Sequence, residues 1–255
     1  MSDGEKLRMM NAGYTNVNRA ELLRMAAEDV ESHKGSFMVF LNVDVVMKIE
    51  RDTYLQKIVE EAKYVVADGM PLIWISRWFG RPLKEKISGS DFVPALCRYA
   101  EKNNKTMFFT GGTAKSLEDA RKNLKRKYPA IKIAGTYSPP FGFEESPDEI
   151  RRMNEAIKKV QPDILVVCFG CPKQEKYIYE NHEAYDAGIS VCAGGTIDFL
   201  SGRIPRCPKW MSRCGLEWLY RFSREPKRLF KRYFIDDPQV VRLIWKYRDQ
   251  AKKRE

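Results

Sequence analysis

The sequence predicts an α/β fold: a Rossmann-like, mostly parallel sheet with helices on both faces, followed by a basic helical C-terminal appendage. Three observations predict it. Short apolar runs alternate with amphipathic helical stretches up to about residue 200, the pattern of a parallel sheet covered on both sides. The apolar runs end in Asn42, Asp68, Gly111-Gly112, Gly170 and Gly194-Gly195, the residue types that end strands in open α/β sheets. Charge is segregated as well: from Arg203 onward there are 16 Lys/Arg and 6 Asp/Glu, against 29 and 28 before it. The boundaries that follow are an α/β body over 1–200 and an appendage over 201–255.

Each element has its own reason. Asn18 is placed to cap a helix over residues 19–33, in which Leu22, Leu23, Ala26, Ala27 and Val30 recur at helical spacing. Residues 37–43 form a continuous apolar run, which reads as a strand buried on both faces. A helix over 51–62 leads to the short strand YVVA, which ends at Asp68-Gly69-Met70-Pro71. A helix carrying Trp74 and Trp78 follows, then a turn at Gly80-Arg81-Pro82 and a helix starting at Ser90 or Asp91. Residues 105–112 form a strand closing on paired glycines, and the helix AKSLEDARKNLKRKY follows it. A short strand, IKIAG, opens a Pro- and Gly-rich loop. Helix EIRRMNEAIKKV, strand DILVVCFG, helix CPKQEKYIYEN and strand ISVCAGG complete the body.

Composition narrows the function. With 255 residues and 44% hydrophobic side chains, the chain is long and apolar enough for one large core. No apolar run reaches 18 residues, and the first residues lack the apolar segment of a signal peptide. Six cysteines without an export signal lead us to expect reduced thiols and a cytoplasmic location. Cys168 and Cys171 form a lone CxxC beside a buried-looking strand and read as small core residues. With only His33 and His182, histidine-rich metal sites and Ser-His or Cys-His catalysis lack their usual parts.

The chemistry-bearing stretches lie at strand ends. Gly111-Gly112-Thr113 between a strand and a helix can let backbone N–H groups approach a phosphate, or can be only a tight turn. The dinucleotide fingerprint and the P-loop Lys-Ser/Thr are both missing, which disfavours a nicotinamide-dependent oxidoreductase and an NTPase. In Gly170-Cys171-Pro172-Lys173-Gln174-Glu175, Pro172 suits a first helical turn, so Lys173 and Gln174 would project toward the ligand edge or sit on an ordinary solvated helix start. Asp68 in its cleft could act as a general base, or could bond its own turn backbone, and Asp198 carries the same two readings.

From Arg203 to Arg232 ten Lys/Arg stand against two Glu, interleaved with Trp210, Trp218, Leu219, Phe222, Leu229 and Phe230. The plain reading is a solvated amphipathic helix pair packed on the body, but basic residues recurring at helical spacing with an apolar face favour a helix lying on an anionic membrane surface. A nucleic-acid-binding tail is the rival, although the body resembles no DNA- or RNA-reading motif. The exposed apolar residues of the tail also leave self-association into a homo-oligomer open.

Taken together, these strings resemble the WecG/TagA/CpsF glycosyltransferase family. The resemblance rests on Asn42 in FLNVD, Ala67-Asp68-Gly69-Met70-Pro71, Ile87-Ser88-Gly89-Ser90-Asp91, Phe109-Thr110-Gly111-Gly112, GCPKQE, Ala193-Gly194-Gly195-Thr196-Ile197-Asp198 and SGRIPRCPKW…GLEWLYRFSREPKRLFKRY. It spans Tyr14 to Tyr233, and its motifs occur in the family's order. It implies an inverting enzyme without an obligate metal or other cofactor. The donor would be a UDP-sugar of N-acetylmannosamine type or a related hexose, and the acceptor a polyprenyl-diphosphate-linked sugar. The product would enter teichoic acid or another bacterial cell-surface polysaccharide, with the enzyme peripheral on the inner face of the cytoplasmic membrane. Carried over by position, Asp68 would be the base, with Lys173, Gln174, Glu175, Gly111, Gly112, Gly170, Gly194 and Gly195 in the substrate pocket beside Asn42 and Asp198. Arg206 matches a signature arginine, and Arg221, Arg224 and Arg228 match tail arginines expected to reach the diphosphate. The chain departs from the resemblance at Phe40, where many members carry a pocket Thr, which bears on how the donor sugar or acceptor hydroxyl is held.

Overall fold

A computed structural model describes residues 6–208, 211 and 215–252. Trp210 and Cys214 lie outside the described residues, as does the side chain of Arg228. The body is a six-stranded, all-parallel sheet in the order β4-β3-β8-β7-β5-β6. Its strands are β3 (Ser36–Leu41), β4 (Tyr64–Ala67), β5 (Thr106–Gly111), β6 (Lys132–Tyr137), β7 (Ile164–Cys168) and β8 (Ile189–Cys192). The four strands nearest one edge are apolar along nearly their whole length because helices cover both faces. Edge strand β6 alternates exposed and half-buried residues instead.

One face is covered by α1 (Arg19–Glu31), α5 (Gly89–Lys102), α6 (Ala114–Lys127) and α9 (Thr196–Leu200), whose Leu22, Phe92, Leu117 and Ile197 share one apolar cluster. The other face carries α2 (Val43–Ile49), α3 (Thr53–Glu61), α4 (Met70–Trp78), α7 (Pro147–Lys158) and α8 (Lys173–Asn181). Asn18 caps α1 as expected: its side chain accepts from the Glu21 N–H while the Glu21 carboxylate accepts from the Asn18 N–H, a reciprocal capping box.

Two local readings need correction, and one element is not foreseen. The run read as a strand to residue 43 breaks at Leu41, and Asn42 caps an extra helix, α2, by accepting from the Val45 N–H. An apolar strand running into an apolar helix has no change of composition to mark the boundary. Helix α5 starts at Gly89 behind the cap residue Ser88, one residue before Ser90 and two before Asp91, the expected starts. An antiparallel hairpin, β1 (Leu7–Met9) and β2 (Ala12–Tyr14), covers the β4 edge, where Val65 exchanges hydrogen bonds with Thr15.

The topology fixes where a ligand can sit. From β5 the chain passes over one face through α6 to the outer strand β6. From the adjacent β7 it passes over the opposite face through α8, inward to β8. Adjacent strands with diverging connections leave a crevice at their carboxyl ends.

The tail folds back over that carboxyl edge. Helices Glu217–Arg224 and Pro226–Lys231 lead through a wide-turned segment, Arg232–Asp236, to helix Val240–Lys246. Leu229 is 1% exposed and Leu243 is 5% exposed, the latter within the body's own core cluster. The appendage is therefore packed on the body through buried apolar anchors, and its charge faces outward and into the cleft. Among the described residues no helix is long and apolar enough to cross a membrane.

Candidate active site

Two cavities meet beneath the tail. The first, about 200 Å³, lies on the strand ends and is floored by Phe40, Cys192 and Ala193, with Gly170, Gly194 and Gly195 along its wall. A Cβ added at any of those three glycines would meet no atom within 4 Å, so they face open space that a ligand can approach to backbone distance. The second, about 350 Å³, runs under the tail between Met70 and Pro71 of α4 and the tail's Trp218, Tyr233, Phe234 and Val240. Asn42, Asp68, Glu217, Arg221 and Arg232 line both.

Asp68 stands at that junction because β4 ends one residue before it and its own N–H donates to Leu41 O at 2.6 Å, continuing the ladder. Its carboxylate has no hydrogen-bond partner among the described residues. Burial pushes its pKa up to about 6; Lys86 and Arg221 pull it down, and Glu217 and Asp91 push it up. A half-buried carboxyl poised near neutrality, in a cleft and flanked by the cations Lys86 and Arg221, has the properties of a general base.

The charges around Asp68 are themselves paired. Lys86 Nζ lies 3.3 Å from Glu217 and 3.5 Å from Asp91, which joins the body to the tail. Burial would lower the Lys86 ammonium, but Glu217, Asp68 and Asp91 hold it above its ordinary value. Asp91 also accepts from Ser88 Oγ at 2.7 Å and from Arg206 at 2.9 Å. On the other side Arg232 donates to Asn42 Oδ1 at 3.1 Å and faces Asp237 at 3.8 Å. Burial pushes Asp237 up to about 6 against the pull of Arg232, with Asp44 and Asp236 adding to the rise. The Nε atoms of Arg221 and Arg232 are buried without a hydrogen-bond partner, so both guanidinium groups keep donor capacity at the junction.

The structure sorts the remaining expected residues. Gln174 lies in the polar cavity, where its Oε1 accepts from the Gly194 N–H at 2.9 Å and its Nε2 donates to Glu175 Oε1 at 2.8 Å. Glu175 is fully buried, lines neither cavity, and is held above the usual carboxylate range by burial. It supports Gln174 from below.

Pro172 precedes α8 rather than occupying its first turn. Lys173 turns away from both cavities, pairs with Glu144 and lies over the Phe141 ring. Gly111 and Gly112 also lie outside the cavity walls. A Cβ at Gly111 would come 2.4 Å from Cys168 O, and one at Gly112 would come 2.7 Å from Ile197, so these glycines serve the close strand–helix turn. Asp198 lines the polar cavity and pairs with Arg203 at 3.6 Å. Arg206 is taken up by Asp91 and the Phe199 ring, and the exposed Arg224 lies over Tyr220.

Sequence reasoning did not single out Lys86, Glu217, Arg232 or Asp237. Lys86, Glu217 and Arg232 lie within or beside strings that carried the family resemblance, but none was given a role there, and Arg232 was counted otherwise only as tail charge. Among the described residues no group of three or more His, Cys, Asp or Glu is placed to hold a metal ion. The Cys168, Cys171, Cys192, Cys97 and Cys207 thiols are free.

A parallel sheet with a carboxylate of raised pKa at its carboxyl edge, between a polar and an apolar cavity, defines an α/β enzyme of Rossmann-like architecture. The Glycosyl transferase WecG/TagA/CpsF family matches residues 7–254, so the chain belongs to that family and is a glycosyltransferase. Its similar proteins include the N-acetylglucosaminyldiphosphoundecaprenol N-acetyl-beta-D-mannosaminyltransferase of Bacillus spizizenii, 27% identical over 224 residues, 88% of this chain and 84% of that one. Proteins of the same name match from Bacillus subtilis, 27% identical over 86% of this chain and 83% of that one, and from Staphylococcus aureus, 27% identical over 78% and 76%.

Proposed function

We propose that this glycosyltransferase moves a hexosyl residue, of N-acetylmannosamine type or closely related, from a UDP-sugar to a polyprenyl-diphosphate-linked N-acetylglucosamine. The observation that carries the reading is the position of Asp68, where a polar cavity on the strand ends meets an apolar one under the tail. The polar cavity suits a nucleotide-sugar, since Gly170, Gly194 and Gly195 let phosphate oxygens approach the backbone and Gln174 is fixed beside them. The other cavity suits an acceptor whose far end is lipid.

In this reading Asp68 accepts the proton of the acceptor hydroxyl as that oxygen attacks the donor's anomeric carbon. The C–O bond to UDP breaks in the same step, with inversion, and the electron pair leaves on the β-phosphate. Arg221 and Arg232, half-buried side chains with unused donors, meet that charge in a site roofed by the tail. Arg224 and the exposed apolar residues of the tail serve a different surface, the anionic inner face of the bacterial membrane, where the lipid acceptor is held. In this division the body over 1–200 carries the donor site, and the appendage over 201–255 completes the acceptor site.

The test is a UDP-release screen over UDP-ManNAc, UDP-ManNAcA, UDP-GlcNAc, UDP-glucose and UDP-galactose with a polyprenyl-diphosphate-GlcNAc analogue. Acceptor-dependent UDP release with one donor is expected, and it falls by roughly 10²–10⁴ in Asp68→Asn while UDP still binds. Near-normal turnover by Asp68→Asn rules out Asp68 as the base.

A further inference from the structure

The cavity under the tail has an order of chemistry along its length. Where it joins the polar cavity stand Asp68, Glu217, Arg221 and Arg232, with Lys86 beside Glu217 and Asp237 beside Arg232; the rest of its wall includes Met70, Pro71, Trp218, Tyr233, Phe234 and Val240. Two of the outer residues are also surface residues: Trp218 is 40% exposed and Phe234 is 51% exposed. The cavity therefore opens between them onto an apolar surface that continues through Phe230 and Ile235, with Phe230 and Phe234 in ring contact at 5.2 Å. A pocket that is polar inside, with the donors of Arg221 and Arg232 at hand, and apolar at its mouth matches a molecule with a sugar, then an anion, then a hydrocarbon chain.

The volume sets how much hydrocarbon can enter. An apolar cavity of about 150 Å³ accommodates a six-carbon ring. By the same packing, about 350 Å³ takes on the order of 14 carbon atoms, fewer once its polar end is filled. With the nine non-hydrogen atoms of the diphosphate filling the polar end, about five carbons remain, one isoprene unit inside, with the second and third at the mouth.

Resting on the acceptor reading above, we infer that this cavity is a prenyl subsite. It takes the first two to three isoprene units next to the diphosphate, so the enzyme itself grips the lipid rather than leaving it wholly to the bilayer. The diphosphate lies between Asp68 and the apolar walls, within reach of Arg221 and Arg232, and the remaining isoprenes leave between Trp218 and Phe234. The acceptor sugar is then held at Asp68 from its lipid side, which fixes the hydroxyl before the donor arrives.

The experiment uses the full chain without vesicles or detergent. The acceptors are GlcNAc-diphosphate esters of methyl, dimethylallyl, geranyl, farnesyl and geranylgeranyl alcohols, all kept below their aggregation concentrations. Burying a methylene changes affinity severalfold, so KM should fall by at least roughly tenfold per isoprene across the first two units and level off by the third. In Val240→Trp, which fills the apolar part, KM for the farnesyl ester should rise to that of the methyl ester, with UDP binding by calorimetry serving as the check on folding.

Three results overturn the inference. If KM is the same for all esters that are turned over, the lipid is not held by the protein, while the transferase reading stands. If KM keeps falling from farnesyl to geranylgeranyl without levelling, the chain is adsorbing on an open surface rather than filling a cavity. If no ester supports UDP release with any donor, the acceptor reading itself fails, and the subsite fails with it.

Discussion

Replacing Lys86 with methionine tests whether the charges around Asp68 set its working pH. Lys86 is the strongest of the neighbours that pull the Asp68 pKa down from its burial-raised position; Arg221 pulls the same way, while Glu217 and Asp91 oppose them. An opposite charge a few ångströms away shifts a carboxyl by about one to three units. Because Arg221 remains, we take about one. The base works when deprotonated, so the acid limb of kcat/KM should move from about 6 to about 7 in Lys86→Met. At pH 6 the ionised fraction then drops from about a half to about a tenth, a loss of about fivefold, while at pH 8.5 the two enzymes converge.

Glu217→Gln removes a charge of the opposite sign, so its limb should move below 6, with no more than about a twofold gain at pH 6. The assay is initial UDP release across pH 5–9 at low acceptor concentration. Limbs that stay in place, or that move the same way in both variants, refute the electrostatic argument. Simple loss of folding would lower the rate at every pH and move neither limb.

Three further outcomes follow from the geometry. Asp237 folds with its pKa raised to about 6, so its contribution to stability is present at low pH and lost as pH rises through that value. Asp237→Asn should therefore raise Tm by up to a few degrees at pH 7.5 and by only about a third as much at pH 4.5, as followed by calorimetry. Gly111 has φ +106° and a Cβ there would lie 2.4 Å from Cys168 O, so Gly111→Ala should cost about 3 kcal/mol and lower Tm by roughly 5–10 °C. Phe230 and Phe234 are exposed on the apolar face of the tail, and replacing both with serine should reduce co-sedimentation with anionic vesicles severalfold while leaving Tm within about a degree.

The sheet could be read from sequence because parallel strands buried on both faces need unbroken apolar runs, and each such run ended in a residue with a local reason to stop it. Asn18 and its Glu21 partner gave the same kind of local signal. The β1–β2 hairpin gave no such signal: its turn places Met10, rather than Asn11 or a glycine, at positive φ. Asp68, Gln174 and the three cavity glycines could be found because they stand at strand ends, where the fold brings loops together. The Lys86–Glu217 and Arg232–Asn42 contacts could not, since both form only when the tail folds back over the body, across 131 and 190 residues of chain. Lys173 misled for the opposite reason. It occupies the expected helix start, but a carboxylate from the β6–α7 connection, Glu144, captures it.

The tail is fastened at its far end as well as its near one. Gln250 exchanges two hydrogen bonds with the backbone of Met10, at 2.9 and 3.1 Å, and Lys246 and Tyr247 both hold Glu50. At the near end Arg206 is held by Asp91, and Glu217 by Lys86. The stretch that roofs the cavities is thus a bridge with two abutments, not a door on one hinge. A bridge can bow, but it cannot swing aside without breaking one of its footings. Traffic that passes beneath it lengthwise is favoured over traffic that must lift it. If the acceptor is the lipid-linked sugar proposed above, its long chain can slide in and leave the same way, one sugar heavier, without lifting the bridge.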